Sequence, residues 1–402
     1  MIIKKLLVAL VNVGAVSAFV SAQTILSEKD AVELALKQNP QMKVAGLKIE
    51  KQEKLRGAAY SFENLEVVFQ APTGDQFRPG VMQRFSFPNV YANQIKLQKT
   101  NVNIAKAEQG VTTNNLIFAV RSSYNQLNFL AEKYNTLRRQ DSIFSDIIEI
   151  NDIRYRVGQI SNLEKINGEA YYKQIQFNLL QTLAALQNEK IQLAILVGRP
   201  EDTSITSVGK LVKIVDYEVN QIPDTTFETN PLTKFYEQQR LASRRLLGLE
   251  RNKRAPGLVV GYLNQANYSN SNYEYRFQVG VTLPIWYWTY GSRINAAKKD
   301  VDIAKSQSTL NNYQLKGEYS KELAQLRQYT TAVEYFETVG NEQSKEIIKS
   351  ARESYRLGSI GYYFYLQNLN QAFQIQLNSL EALKNYNQSI ITLQFLLGEQ
   401  KY

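Results

Sequence analysis

Apolar side chains recur every seven residues in the first of two long tracts that contain no proline. The nine prolines of the chain leave residues 89–199 and 285–402 free of proline. Proline breaks helix interiors, so long helices are possible in these tracts. The seven-residue spacing in the first tract is typical of helices that pack side by side as in coiled coils, and it runs through Leu97, Ile104, Val111 and Phe118. The pattern predicts a helix from about Asn89 to Ile150, roughly 90 Å long at ~1.5 Å per residue.

Outside these tracts the pattern changes to short β-like runs. Residues 65–71 and 81–87 flank a turn with Pro and Gly, and residues 257–263 lead to a fourth run with strict alternation. Its apolar positions are Phe277, Val279, Val281 and Leu283. One apolar and one polar face are expected of a strand between lipid and a water-filled lumen. The same alternation fits a half-buried strand of a soluble sandwich.

An aromatic segment follows this strand and contains both tryptophans of the chain. Trp286, Tyr287, Trp288 and Tyr290 are amphipathic rings of the kind that concentrate at the lipid headgroup boundary. The segment predicts a membrane-interface girdle, and packing in an ordinary core is the alternative.

The chain is an internal repeat with a spacing near 200 residues. Val102-Asn-Ile-Ala-Lys106 recurs as Val301-Asp-Ile-Ala-Lys305, and Tyr155-Arg-Val-Gly-Gln-Ile160 recurs as Tyr355-Arg-Leu-Gly-Ser-Ile360. Leu196-Val-Gly198 likewise returns as Leu396-Leu-Gly398, and an Asn-Pro pair opens each half at 39–40 and 230–231. The matches keep one order, which is the signature of duplicated structural units. We expect two repeats, residues 23–210 and 211–402, each with a helix, a β-hairpin, a very long helix, a Gly-containing turn and a helix.

Two hairpins per chain constrain the assembly. A membrane sheet cannot leave open edges in lipid, and one chain supplies only four strands, fewer than the smallest closed barrels have. Two chains would give eight strands around a lumen filled by side chains, whereas three would give twelve strands around a pore. A trimer is therefore expected, with the long helices continuing the barrel as a helical tube.

The first 22 residues predict a signal peptide, with Lys4 and Lys5, an apolar stretch from Leu6 to Val20 and small residues before Gln23. A short buried helix is the alternative. The chain has no Cys and no His. Disulfides and a lipid-bearing cysteine are thus excluded, and the usual metal ligands and the commonest catalytic base and nucleophile are missing. We expect no cofactor, no metal site and no catalytic residues.

Charge and hydropathy exclude two further classes of protein. The mean hydropathy of -0.34 does not fit a helical membrane bundle, which needs several apolar runs of ~20 residues. The formal net charge of +10 could suggest a nucleic-acid partner. However, the basic residues are interleaved with acidic and amide side chains, and no dense basic block is present. Solvated helix faces explain the charge, and no nucleic acid is expected to bind.

On these residues the chain resembles the TolC family of outer-membrane efflux proteins, over essentially the whole mature chain. The resemblance is carried by Asn39-Pro40, by Thr282-Leu-Pro-Ile285 ahead of a long tract, by the paired Tyr-Arg-x-Gly turns and by the terminal Leu-x-Gly helix ends. It implies a homotrimer in the Gram-negative outer membrane, with a twelve-stranded β-barrel and an α-barrel that extends into the periplasm. It also implies a passive duct that works with a periplasmic adaptor and an inner-membrane transporter of the RND type. The segment from Gly358 to Ala372 is similar to the heavy-metal (CusC/CzcC-like) branch.

The resemblance also implies functional positions at the Gly-containing turns. In the family these turns form the periplasmic tip, where the adaptor docks and the channel opens. The corresponding residues are Tyr155, Arg156, Gly158 and Ile160 in the first half and Tyr355, Arg356, Gly358 and Ile360 in the second. Simple closure of two helical hairpins is the alternative role.

The expected gate departs from the family pattern. Family members can carry acidic residues after the second turn, whereas here Gly361-Tyr-Tyr-Phe-Tyr-Leu366 follows, with two more residues before Ala372 than before Ala170 in the first half. We therefore expect an aromatic constriction rather than an acidic ring. The gate candidates are Glu164, Tyr363, Phe364 and Tyr365.

Three other classes remain open from the residues alone. A trimeric coiled-coil surface protein explains the signal peptide and the rods but not the duplicated hairpins. A periplasmic adaptor usually carries one helical hairpin between β-rich modules, whereas this chain repeats its long helices. An enzyme is disfavoured because neither a carboxylate pair at an evident cleft nor a nucleophile motif stands out.

Overall fold

The computed structural model describes residues 25–59, 61–70, 78–202, 206–207, 210–215, 226–264 and 275–399. The predicted signal peptide, residues 1–22, lies outside these residues. The described helices are α1 Glu28–Gln38, α2 Pro40–Ala58, α3 Pro88–Arg156, α4 Asn162–Leu196, α5 Pro231–Asn252, α6 Tyr287–Tyr335, α7 Asn341–Arg356 and α8 Tyr362–Leu397. The described strands are β1 Ile25–Leu26, β2 Glu66–Gln70, β3 Arg78–Phe85, β4 Thr206–Ser207, β5 Gly257–Asn264 and β6 Tyr275–Thr282.

The protein is mainly helical with one small antiparallel sheet, as the sequence predicts. The sheet has four strands in the order β2-β3-β5-β6, and β1 and β4 form a separate parallel pair. The hairpin β2–β3 comes from the first half of the chain and β5–β6 from the second, joined through β3 and β5. The two halves therefore share one sheet rather than folding as separate modules.

Helix α3 is the longest rod, with 69 residues and a length of about 100 Å. Pro88 occupies its first turn, where a missing N–H costs nothing, and Arg154 and Arg156 lie in its last turn, where cations favour the helix dipole. The helix packs on α2, α4, α5 and α8. No helix in the described part of the chain is both long and apolar enough to cross a membrane.

The Asn-Pro pairs close each half onto itself. Asn39 Oδ1 accepts from the Gln41 N–H at 2.8 Å and caps α2, while its Nδ2 donates to the Leu196 carbonyl at 2.8 Å. In the second half Asn230 caps α5 in the same way and donates to the Leu396 carbonyl at 2.7 Å. Each buried asparagine thus joins the start of its half to the end of the same half, which explains the repeated motif.

Four glycines end helices in the left-handed region, in pairs 200 residues apart. Gly158, Gly198, Gly358 and Gly398 have φ between +71° and +79°. After each glycine the next N–H bonds back to a carbonyl five residues earlier, as from Gln159 to Arg154 at 2.8 Å and from Ser359 to Ser354 at 2.9 Å. This is the Schellman arrangement, in which glycine avoids a steric cost that other residues carry.

A π-helical turn at Phe336–Gly340 separates α6 from α7, whereas α3 runs through the corresponding region unbroken. On the N-terminal side of the turn, buried Leu315 and Leu326 correspond to buried Leu116 and Leu127 with an offset of 199. On its C-terminal side, buried Ser344 and Ala351 correspond to buried Phe144 and Asn151 with an offset of 200. The second half therefore holds one extra residue here, and the wider π turn takes it up without rotating α7 out of register.

Buried residues form clusters along the rods rather than one central core. One lies among α1, α3 and α4 around Val32, Val120 and Leu193, and another lies near the Gly-containing turns around Phe144, Leu366 and Leu369. Buried Arg121 of α3 pairs with Glu28 of α1 at 2.5 Å and also bonds to Gln394 of α8. Narrow seams of this kind hold long helices side by side.

Candidate functional site

The first turn, between α3 and α4, carries Tyr155, Arg156, Gly158 and Ile160 at the end of the helical hairpin. Tyr155, Arg156 and Gly158 are exposed, and Ile160 is half-buried. Its counterpart in the second turn, Ile360, packs against the cluster around Phe144. A Cβ at Gly158 would meet no atom within 4 Å, so the backbone conformation rather than crowding requires glycine.

Ion pairs stabilise this first turn. The Asp152 carboxylate accepts from Lys165 Nζ at 2.9 Å and from the Arg156 guanidinium. These two hydrogen bonds, that of Lys165 being the stronger influence, lower the pKa of Asp152 to about 2. The same contact raises the pKa of Lys165, whose ammonium also lies 4.9 Å from the centre of the Tyr155 ring. The network is therefore ionised at any physiological pH.

Glu164, the only carboxylate among the gate candidates, is part of a capping box. Its Oε2 accepts from the Ser161 N–H at 2.9 Å, and the Ser161 hydroxyl accepts from the Glu164 N–H at 3.2 Å. The carboxylate thus stabilises the first turn of α4 in this protomer. Its expected role in a gate stays a prediction.

The second turn, between α7 and α8, carries Tyr355, Arg356, Gly358 and Ile360 and is aromatic where the first is charged. The Tyr355 ring stacks on Tyr365 with centroids 4.6 Å apart and planes 5° from parallel. From the first turn, Arg154 Nη1 donates to Tyr355 Oη at 2.5 Å, and its guanidinium lies 4.8 Å from the ring centre. The structure therefore joins the two turns, which are 200 residues apart in sequence.

The aromatic gate candidates separate by burial. Tyr363 and Phe364 are exposed, Phe364 by 60%, and their rings contact edge to face. Tyr365 is only 5% exposed and belongs to the buried cluster around Leu366 and Leu369. The expectation that Tyr365 lines a constriction is corrected in this protomer, because its ring is covered by Tyr355 and by the cluster.

Sequence reasoning missed Tyr362, which is 2% exposed. Its ring occupies a notch at Gly168 of α4, where a Cβ would collide with the phenol oxygen. Burial raises the pKa of Tyr362 well above its usual range. Its hydroxyl lies beside the buried Asn151 side chain, and this contact partly offsets the effect of burial on the pKa. The sequence did hold one sign of this contact, because Gly168 lies within a predicted helix, where no turn requires glycine.

The repeat also corrects one expected spacing. Helices α4 and α8 begin at Asn162 and Tyr362 and are capped by Gly198 and Gly398, so both ends keep an offset of 200. Ala170 and Ala372 are therefore not equivalent positions, and the second hairpin is not longer than the first in this segment. The match had relied on single small residues, which repeat by chance in Ala-containing helices.

The sheet presents an exposed apolar surface, called here the apolar face. Cross-strand partners align on it in rows such as Val67, Val81, Tyr262 and Phe277. The face comprises Val67, Phe69, Val81, Phe85, Leu258, Val260, Tyr262, Phe277, Val279 and Val281. Phe277 is 80% exposed and most of the others are exposed as well. An apolar patch of this kind on a monomer indicates a partner or a membrane.

The opposite side of the sheet is mixed in character. It carries the ion pair Arg84–Glu66 at 3.2 Å, the residues Gln278 and Thr282, and buried Val259 and Leu263. On the apolar face the polar side chain of Gln83 bonds to the carbonyls of Glu63 at 2.6 Å and Arg84 at 3.1 Å. The amide group of Gln83 is therefore hydrogen-bonded within the protein, although it lies on the apolar face.

The predicted girdle residues lie where β6 gives way to α6. Trp286, Tyr287 and Trp288 are exposed, and the two indole rings contact edge to face with centroids 5.2 Å apart. Tyr290 is half-buried beside the base of the sheet. Exposure of three of the four rings in this protomer disfavours core packing, and contact with lipid headgroups stays a prediction.

Known structures resemble this chain over more than nine-tenths of its length. The Campylobacter jejuni CmeC outer membrane channel aligns with a TM-score of 0.78 at 18% sequence identity, covering 92% of this chain and 85% of CmeC. The fold is that of a TolC-type outer-membrane channel. A membrane protein of Pseudomonas aeruginosa aligns with a TM-score of 0.81 at 16% identity (94% of this chain, 92% of that one), and the transmembrane channel CusC with 0.76 at 15% (94% and 93%).

Sequence comparison alone finds no such relationship, since neither a protein-family model nor a curated protein matches the chain. The family resemblance inferred from the repeat is thus confirmed at the level of the TolC-type fold. CusC is similar, but its TM-score of 0.76 lies within the range of 0.75 to 0.81 found for the other proteins, so the fold does not single out the heavy-metal branch.

Proposed function

We propose that three copies of this chain form an outer-membrane exit duct, a passive conduit for substrates delivered by an inner-membrane pump. The observation that carries the proposal is the apolar face on a four-stranded sheet whose outer strands, β2 and β6, each lack a partner on one side among the described residues. Unpaired strand edges in lipid are costly, so the sheet needs neighbours. Three copies give twelve strands, enough to enclose a pore.

The long helices support the same proposal. They continue from the sheet for about 100 Å, a span suited to a tube across the periplasm. The apolar face would contact lipid, and Trp286, Tyr287, Trp288 and Tyr290 would lie at the headgroup boundary. The protein would thus reside in a Gram-negative outer membrane and extend into the periplasm, with no enzymatic activity.

The two turns are the proposed docking tip. Their exposed residues lie farthest from the sheet along the helices, and the two differ in chemistry, with ion pairs at the first and aromatic rings at the second. A periplasmic adaptor would dock there and connect the duct to a transporter of the RND type. In the assembled trimer Tyr363 and Phe364 would narrow the pore, with Glu164 as the nearest carboxylate of the first turn.

Planar-bilayer conductance tests the proposal directly. The detergent-extracted, cross-linked protein would be measured for mass and for conductance in the same preparation. We expect a trimer with discrete conductance steps. A water-soluble monomer or dimer without conductance would refute the duct and favour a coiled-coil surface protein.

A further inference from the structure

A cavity of about 600 Å³ opens at the base of the apolar face. Its lining is aromatic and aliphatic, and its polar side-chain groups are the hydroxyls of Ser86 and Tyr91. It comprises Phe62, Phe85, Ser86, Phe87, Pro88, Tyr91, Pro256, Gly257, Leu258 and Val281. The volume lies within the range of small-molecule sites. A lining with so few polar groups selects a hydrocarbon ligand rather than a water-soluble one.

Aromatic contacts hold the cavity open. The Phe62 ring meets Phe85 and Tyr91 edge to face, with centroids 5.6 and 5.4 Å apart. The Tyr91 hydroxyl accepts from the Ser86 N–H at 2.9 Å, so this polar atom is already engaged. The rings therefore form a wall fixed by contacts of its own.

The cavity is continuous with the apolar face. Phe85, Leu258 and Val281 are cross-strand neighbours in one row of that face. Phe85 and Leu258 lie on β3 and β5, the two central strands, and Val281 lies on β6, at one edge of the sheet. Because the lining continues the apolar face, which would contact lipid, an occupant from the membrane is favoured.

Basic residues adjoin the cavity wall along the chain. Helix α5 ends at Asn252, and Arg251 in its last turn and Arg254 just after it lie five and two residues before Pro256 of the cavity wall. Arg251 and Arg254 are exposed, while Lys253 pairs with Glu250 at 2.6 Å. Exposed cations next to an apolar cavity match the two parts of an anionic phospholipid, since they attract its headgroup while the cavity takes its hydrocarbon.

We propose that this cavity binds one acyl chain of an anionic phospholipid whose headgroup contacts Arg254. The inference rests on the proposed membrane location of the sheet. It adds a defined lipid site to a face that would otherwise contact lipid without selection.

Native mass spectrometry of the trimer in mild detergent tests this site, with phosphatidylglycerol and phosphatidylethanolamine added in equal amounts. We expect the double variant Phe62→Ala, Leu258→Ala to retain phosphatidylglycerol about fivefold less than the unaltered protein, because it removes apolar contact area. The matched control is Phe277→Ala, on the same apolar face but at its other end. It should retain lipid normally.

The headgroup is tested separately. Arg254→Gln should abolish the preference for phosphatidylglycerol over phosphatidylethanolamine, whereas Lys299→Gln, an exposed cation of α6, should not. Equal retention by all variants would show annular lipid only and overturn the site, as would a cross-link from position 62 to another protomer. Conductance of the same samples separates the two ideas, because a conducting trimer without selective lipid retention refutes the site and leaves the duct standing.

Discussion

Deleting one residue at the π turn should be tolerated, while the same deletion in the first half should not. The deletion of Thr338 removes the surplus residue from Phe336–Gly340 and allows a regular α-helical turn. Residues on the C-terminal side of the turn, such as buried Ser344 and Ala351, then keep their positions against α8. The matched control is deletion of exposed Arg138 in α3, a helix with no residue to spare.

The cost of the control deletion follows from the burial pattern. Removing Arg138 rotates the lower part of α3 by about 100° and shifts it by ~1.5 Å. Ser145 would then occupy the site of Phe144, which is fully buried, and Asp152 would occupy that of buried Asn151. Loss of a buried Phe alone costs about 3–5 kcal/mol, and an unpaired buried carboxylate adds to it.

Both variants are measured by heating the detergent-extracted protein and following its far-UV circular dichroism. We expect deletion of Arg138 to lower the apparent unfolding midpoint by on the order of 10 °C, and deletion of Thr338 to leave it near that of the unaltered protein. If both deletions lowered the midpoint equally, the π turn would be a required feature of α6–α7 and the one-residue surplus would not explain it.

Two further predictions concern the turns. Replacing Gly158 or Gly358 by Leu should weaken adaptor docking, measured by cross-linking in native envelopes, but leave trimers on native gels. The cost is then backbone strain at the exposed turn alone, since no atom lies within 4 Å of a new Cβ. Gly398→Ala, whose Cβ would lie 2.8 Å from Pro231 Cδ, should instead reduce heat stability. Loss of trimers in the Gly158 or Gly358 variants would show that these turns are structural. Asp152 has a lowered pKa, so its contribution to stability is present above its usual pKa and is lost as the pH falls toward about 2. The difference in heat stability between the unaltered protein and Asp152→Asn should therefore vanish in acid. A difference that persisted at pH about 2 would contradict the role given to the ion pairs.

Features that depend on a local residue pattern follow from the amino-acid sequence alone. Proline-free tracts with seven-residue spacing located the rods, because a helix needs unbroken backbone hydrogen bonds. Alternation in Phe277, Val279 and Val281 located an exposed apolar strand face, because side chains alternate across a strand. The repeated Tyr-Arg-x-Gly segments located the two turns, because a left-handed helix end favours glycine at Gly158 and Gly358.

Which side chains of the two turns are exposed depends instead on tertiary contacts. Tyr365 and Tyr362 are buried because α3, α4, α7 and α8 meet around them, and Gly168, which contacts the Tyr362 ring, comes from a distant part of the chain. The change in repeat offset from 199 to 200 indicates one extra residue in the second half, but it does not show that this residue is accommodated by the π turn at Phe336–Gly340. Burial and register across helices depend on contacts between segments about 200 residues apart, which periodicity within one segment cannot contain.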